Sequence, residues 1–201
     1  MKEVNILIEK IIGGFNLDDT FLPVVTEILK SYDSGVDKVG VQLNMNFTSD
    51  PNRKDLLKDY TFDLIKGLTD STKDKLRSEL QRGIMNLESI TKIQKRIQKV
   101  MDVSSTRAKA IARTESVRAE NMGHIDGARQ SGLKLLKYVD AHLDSRTSDI
   151  CRYMDIHYGN ESQAIPMNQK FKFNGNVWDI PPFHINCRTT IVFTQKVKDE
   201  E

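Results

Sequence analysis

Over the first two thirds of the chain, apolar residues recur every three or four positions; after Gly132 the spacing shortens towards two. The first pattern predicts helices that bury one face, the second predicts strands. Ile6, Ile8 and Ile11 begin a short helical stretch that Gly13-Gly14 stops. Phe21, Val24, Val25, Ile28 and Leu29 follow at helical spacing, behind Asp18 and Asp19 as caps. Ser34-Gly35 and Thr48-Ser49-Asp50-Pro51 punctuate the chain, and VGVQLNMNF between them suits either a helix end or a strand. From Pro51 the stripe is Leu57, Tyr60, Leu64 and Leu68. Thr69-Asp70-Ser71 then predicts a break and a new N-cap. Leu76, Leu80, Ile84 and Leu87 form the next stripe, and Ser89 caps a short helix carrying Ile93, Ile97 and Val100. Ser104 or Ser105 opens a long helix running to about Gly132. Its thin face of alanines (Ala108, Ala110, Ala112, Ala119, Ala128) lets neighbours approach closely.

Beyond Gly132, LKLLKYVDAHL alternates as a strand does. DSRTSDICRYMD predicts a turn into a short helix, with residues 144 to 148 supplying caps. Asn174-Gly175 lies between aromatic and β-branched residues, a hairpin signal. TTIVF predicts a last strand. The fold class is therefore α+β: a helical N-terminal part, then a small C-terminal α+β module with a β-hairpin and a final strand. The expected division is a helical extension over 1–70, a helical segment ending in a long helix over 71–132, and the α+β module over 133–195. A length of 201 residues suits one domain with an extension, or two small ones.

Composition adds a partner-facing character. Apolar residues are 38% and charged residues 29%, polar for a compact globule, so exposed helices or a partner-covered surface are expected. Thirty basic against 28 acidic residues give a net charge of +2, which does not describe a nucleic-acid-binding arm. The local exception is KIQKRIQK, where Lys92, Lys95, Arg96 and Lys99 form a basic face. Such a face is ordinarily solvated, and it also suits contact with the backbone of double-stranded DNA. Charges interrupt the apolar N-terminal stretch, so no signal peptide is expected. No apolar run approaches the roughly 20 residues of a membrane span, so a soluble protein without a membrane partner is expected.

The chemistry-bearing residues fall in three short clusters: IARTE (111–115), DSRTSDIC (144–151) and PPFHINCR (181–188). Cys151, His184 and Cys187 are ligand types suited to zinc. His142, Asp144, Asp155 or His157 could supply a fourth ligand. The alternative is a hydrogen-bonded His184 beside two packed thiols, since free cysteine is among the most buried residue types. Two cysteines are too few for a disulfide-rich scaffold, leaving a bridge, free thiols or metal thiolates open. A Cys–His nucleophile needs the thiol within hydrogen-bond reach of the imidazole, and the His-x-x-Cys spacing alone does not set that. Arg113, Glu115, Asp144, Arg146 and Arg188 suit a structural arginine network that ties the long helix to the α+β module, or an anion site. Trp178 reads as core.

Taken together, the clusters resemble the phage Mu F-like minor head proteins, also called phage head morphogenesis proteins. The resemblance rests on Ala112-Arg113-Thr114-Glu115 in the long helix, on Asp144-Ser145-Arg146-Thr147 with Cys151, and on Pro181 to Arg188 before the last strand. It covers about residues 70 to 194. Many relatives carry C-x-x-C after the second segment and C-R-C at the end; here Met154 and Thr189 hold the second positions, and Asp155-Ile156-His157-Tyr158-Gly159 replaces a D-G turn. A reduced site of Cys151, His184 and Cys187 survives these departures. The resemblance implies a low-copy component of a tailed-virus or prophage head, made in the host cytoplasm and carried in the virion, in the head interior or at the portal vertex. Its implied partners are the portal protein or the major capsid protein, with DNA or a second copy of the chain as further ones. No catalytic residues are assigned; the competing class is a nuclease or toxin-like effector delivered with the viral DNA.

Overall fold

The computed structural model describes residues 9, 12–14, 23–86 and 88–195. The expectations placed on Ile6, Ile8, Ile11, Asp18, Asp19, Phe21 and Leu87 lie outside those residues. Three long helices come first: α1 (Pro23–Leu43), α2 (Pro51–Met85) and α3 (Ile90–Gln130). They are followed by β1 (Leu135–Asp140), α4 (Asp149–Tyr158), a 3-10 turn (Glu161–Gln163), β2 (Ile165–Pro166), β3 (Phe171–Phe173), β4 (Asn176–Trp178) and β5 (Thr190–Gln195). The α+β class holds, with the helices concentrated in the N-terminal part and a small antiparallel sheet region at the C-terminal end.

Three expected breaks are absent, each for a packing reason. α1 runs straight through Ser34-Gly35, because Gly35 is buried where α1 crosses α3. A Cβ there would lie 2.1 Å from the Glu120 carbonyl oxygen. Helix α2 runs through Thr69-Asp70-Ser71, and α3 runs through Ser104-Ser105. Ser104, one of the expected caps, faces inward instead, against Thr72 of α2. Thr72 Oγ1 bonds to the Leu68 carbonyl and meets Ser104 Oγ at 2.8 Å, and both residues are buried. A satisfied hydroxyl pair inside two packed helices is tolerated where an orphaned one would be costly. The break at 48–51 is real: Asp50 Oδ1 accepts from the Asn52 amide, and Pro51 occupies the first turn, where its missing N–H is no loss. VGVQLNMNF resolves as a helix end, closed by Asn44 at φ 53°.

The chain forms two compact units, 1–26 with 59–110 and 27–58 with 111–201. In the first, Ile65, Leu68, Leu76, Leu80 and Val100 are buried on α2 and α3. In the second, the sheet order is β2-β1-β5, antiparallel throughout, with Leu135 opposite Gln195 and Asp140 opposite Thr190. β3 and β4 form the expected hairpin on Asn174 (φ 46°) and Gly175 (φ 78°), both in the left-handed region that a two-residue turn requires. Leu135, Val139, Met154, Phe171, Phe183, Ile191 and Phe193 build the core, with Trp178 packed edge-on against Phe183.

β5 is an edge strand whose backbone groups are met by side chains. Asn121 accepts from the Ile191 amide at 2.8 Å and donates to the Thr189 carbonyl. His124 Nδ1 donates to the Ile191 carbonyl, and Gln42 Nε2 to the Phe193 carbonyl. Those bonds close the edge against pairing with another strand.

Candidate metal centre

Cys151 sits in the first turn of α4, whose N-cap is Ser148; the Ser148 side chain accepts from the Cys151 amide. His184 and Cys187 lie in the turn between the cis Pro181-Pro182 bond and β5, closed by a bond from the Cys187 amide to the His184 carbonyl. Thr114 of α3 supports that turn, its hydroxyl accepting from the Asn186 amide at 2.9 Å. The three side chains meet although they come from two segments more than 30 residues apart. Cys151 Sγ lies 3.0 Å from His184 Nε2 and 3.7 Å from Cys187 Sγ.

The donor set could hold a cation. His184 Nδ1 is 2.7 Å from the Ile185 carbonyl, which can only accept, so Nδ1 carries the proton and Nε2 presents its lone pair to Cys151 and Ser148. A fixed outer hydrogen bond of this kind orients metal-binding histidines. The thiols are free and buried. Cys187 is held well below the usual thiol range by a hydrogen bond from Cys151 and by backbone donors at Phe183 and Thr189, against the opposing effect of burial. Cys151 is pushed up by that shared bond and by burial, so it keeps the proton of the pair. A tetrahedral zinc ion with bonds of ~2.3 Å to sulfur spaces two thiolates by about 3.8 Å. The observed 3.7 Å separation of the two sulfurs matches that spacing, while His184 Nε2, 3.0 Å from Cys151 Sγ, would move outward by about 0.5 Å to share the ion. Cys151, His184 and Cys187 are therefore the residues that could hold a metal, their ligand atoms lying within 4.8 Å of one another.

The four expected fourth ligands do not join them. Asp144 is engaged by arginines, and His142 lies exposed beside it. His157 stacks on Tyr153, 3.9 Å between ring centres, and bonds to the Tyr153 carbonyl. Asp155 is outside the cluster as well.

The arginine network divides. Arg188 grips both carboxylate oxygens of Asp144 at 2.7 and 2.8 Å, while Arg146 adds its amide and guanidinium. These bonds, the Arg188 contact above all, hold the Asp144 carboxyl far below the ordinary carboxylate range. The pair fastens the loop before α4 to the residue after Cys187, joining the two ligand-bearing segments. Arg113 and Glu115 are not part of it: Glu115 pairs with Arg118 at 2.8 Å, and Arg113 is exposed with only a 3.5 Å contact to Asn186. Thr114, between them, makes the link that the two charged residues were expected to make. On the first unit, Lys92, Lys95 and Lys99 are exposed. Arg96 leaves that basic face, held by Glu79 at 2.5 Å and Glu88 at 2.7 Å.

The family model for phage Mu protein F like proteins matches residues 74–192, from within α2 to within β5. The chain belongs to the phage Mu F-like family. The matched span takes in all three clusters. No curated protein and no solved structure matches the chain. No helix among the described residues is long and apolar enough to cross a membrane.

Of the two positions where the resemblance set further cysteines, one packs in the core and the other touches the candidate site. Met154 is fully buried in the core beside Cys151. Thr189, where many relatives end C-R-C, is 1% exposed and donates its hydroxyl to Cys151 Sγ at 3.2 Å. Thr189 was not singled out as a site residue by sequence reasoning. The available signal was its place two residues after Cys187, facing inward from the start of a strand.

Proposed function

We propose that this Mu F-like protein is a minor head protein of a tailed virus or prophage, acting in head assembly through contacts with the portal or the capsid interior. The observation that carries the reading is the family match over residues 74–192, which takes in both ligand-bearing segments. α2 and α3 also present Leu56, Tyr60, Ile90 and Val103 to solvent, apolar side chains available to a partner. Cys151, His184 and Cys187 serve as a zinc clip that fastens α4 to the turn before β5, a structural rather than a catalytic role. Lys92, Lys95 and Lys99 offer a secondary contact for packaged DNA, weakened by rising salt.

The test is genetic complementation. An induced prophage lacking this chain should yield few DNA-filled heads, and supplying it in trans should restore them. The His184→Ala variant should restore fewer than the wild type, in proportion to how much of it folds. Normal heads without the chain would contradict the assembly role. A folded His184→Ala protein that assembles normally but loses a nuclease activity would favour the enzyme class instead.

A further inference from the structure

Lys137 occupies a core position. Burial along β1 alternates, and Leu135, Lys137 and Val139 share the inward face. The lysine is 1% exposed. Its ammonium lies 5.2 Å from the centre of the Phe171 ring and donates to the Asp179 carbonyl at 2.7 Å. That carbonyl is its hydrogen-bond acceptor among the described residues, and an ammonium has three N–H donors. Burial depresses the lysine's pKa, with Arg129 and Lys170 adding to the effect and Asp179 opposing it. A methionine or leucine would fill the same strand position at lower cost, so the charge itself calls for an explanation.

Lys137 lines a cleft of about 440 Å³ within the second unit. Arg53, Arg118 and Arg129 line it too, against the carboxylates of Asp126 and Asp179. Arg118 is paired with Glu115 and Asp179 with Lys170, so with these neighbours five cations stand against three anions, a surplus of two positive charges. Asp126 is shared between Arg53 at 3.4 Å and Arg129 at 3.7 Å, long contacts for ion pairs. Met122, Ile125, Met167 and Ile180 form the apolar part of the lining. Methionines adapt to irregular apolar ligands.

We propose that this cleft is a receptor for a carboxylate, presented by a glutamate or aspartate within an apolar segment of a protein partner. A carboxylate is flat, singly charged and carried on a narrow stem. It can enter the cleft that Lys137 lines and, as the flexible methionines of the lining give way, take the remaining donors of that 1%-exposed side chain with two oxygens, while its apolar neighbours rest on the methionines and isoleucines. A phosphate dianion would meet the Asp126 and Asp179 carboxylates at the same opening, and a DNA duplex is too broad to carry its phosphates down to a buried ammonium. The proposal stands on the cleft alone and does not depend on the role in head assembly.

The experiment titrates the full chain, labelled with ¹⁵N, with acetyl-Leu-Glu-Leu-amide, its Gln counterpart, inorganic phosphate and a short DNA duplex. The Glu peptide should give saturable shifts at the Lys137 side chain and at the Met122, Asp126 and Asp179 amides, and the Gln peptide should bind about tenfold more weakly or worse, a loss of ~1.4 kcal/mol. Lys137→Met, which keeps the volume and removes the charge, should abolish that preference. Should this variant fail to fold, Arg118→Gln at the cleft opening should weaken the Glu peptide several-fold. Equal binding of the two peptides, no saturable shift up to about 10 mM, tighter binding of phosphate or DNA at these residues, or unchanged binding in the folded variants would each overturn the proposal.

Discussion

Thr189 supports the candidate metal site through a single hydrogen bond. Its hydroxyl donates to Cys151 Sγ, stabilising negative charge on sulfur when a metal displaces the thiol proton. Thr189→Val, nearly isosteric, should leave the fold intact and weaken zinc binding by about tenfold, as loss of an outer-shell bond to a ligand usually does. Competition with a chromophoric chelator measures it; unchanged affinity would remove Thr189 from the site. Cys151→Ser should abolish stoichiometric zinc outright, read by elemental analysis of protein purified without chelator. His124 makes a different prediction. Burial lowers its pKa below the unfolded value of about 6.5, so the folded state favours the neutral ring. The stability it contributes is fully present above that value and is lost as pH falls through the lowered folded one. The group facing it most directly in charge is Glu120, which opposes the shift. Urea midpoints between pH 7 and pH 5 should therefore drop more steeply in the wild type than in His124→Gln.

At the scale of elements, the crossing of α1 on α3 depends on glycine rather than on the alanine stripe alone. A Cβ on Gly123 would lie 2.3 Å from the Tyr32 carbonyl oxygen, and one on Gly35 2.1 Å from the Glu120 carbonyl oxygen of α3. Neither contact can yield without moving a helix. Gly35→Ala or Gly123→Ala should cost roughly 2–3 kcal/mol, the scale of overpacked cores, despite alanine's better helix propensity. A thermal melt within a degree of the wild type would contradict that packing. The same feature explains what the sequence made legible. Strand alternation, the Asn174-Gly175 turn and the Ser148 cap are local signals, and each formed where expected. The breaks at Ser34-Gly35, Thr69–Ser71 and Ser104 were misread because glycine and hydroxyl residues serve either as punctuation or as close-packing and buried hydrogen-bond devices. Only the partner helix decides which. Cys151, His184 and Cys187 were visible by residue type, whereas Thr114, Thr189 and Lys137 act through neighbours distant in sequence.

For the whole molecule, membership in the Mu F-like family points to a phage head morphogenesis protein. The Asp144–Arg188 pair, the Thr114–Asn186 bond and the three candidate ligands converge on the same turn. Both thiols are buried. The most direct test of the head-protein account is quantitative mass spectrometry of purified, DNA-filled particles from the source virus or induced prophage. The account predicts this chain at a few to tens of copies per particle. Its absence from particles, in a strain where it is also dispensable for their formation, would contradict it.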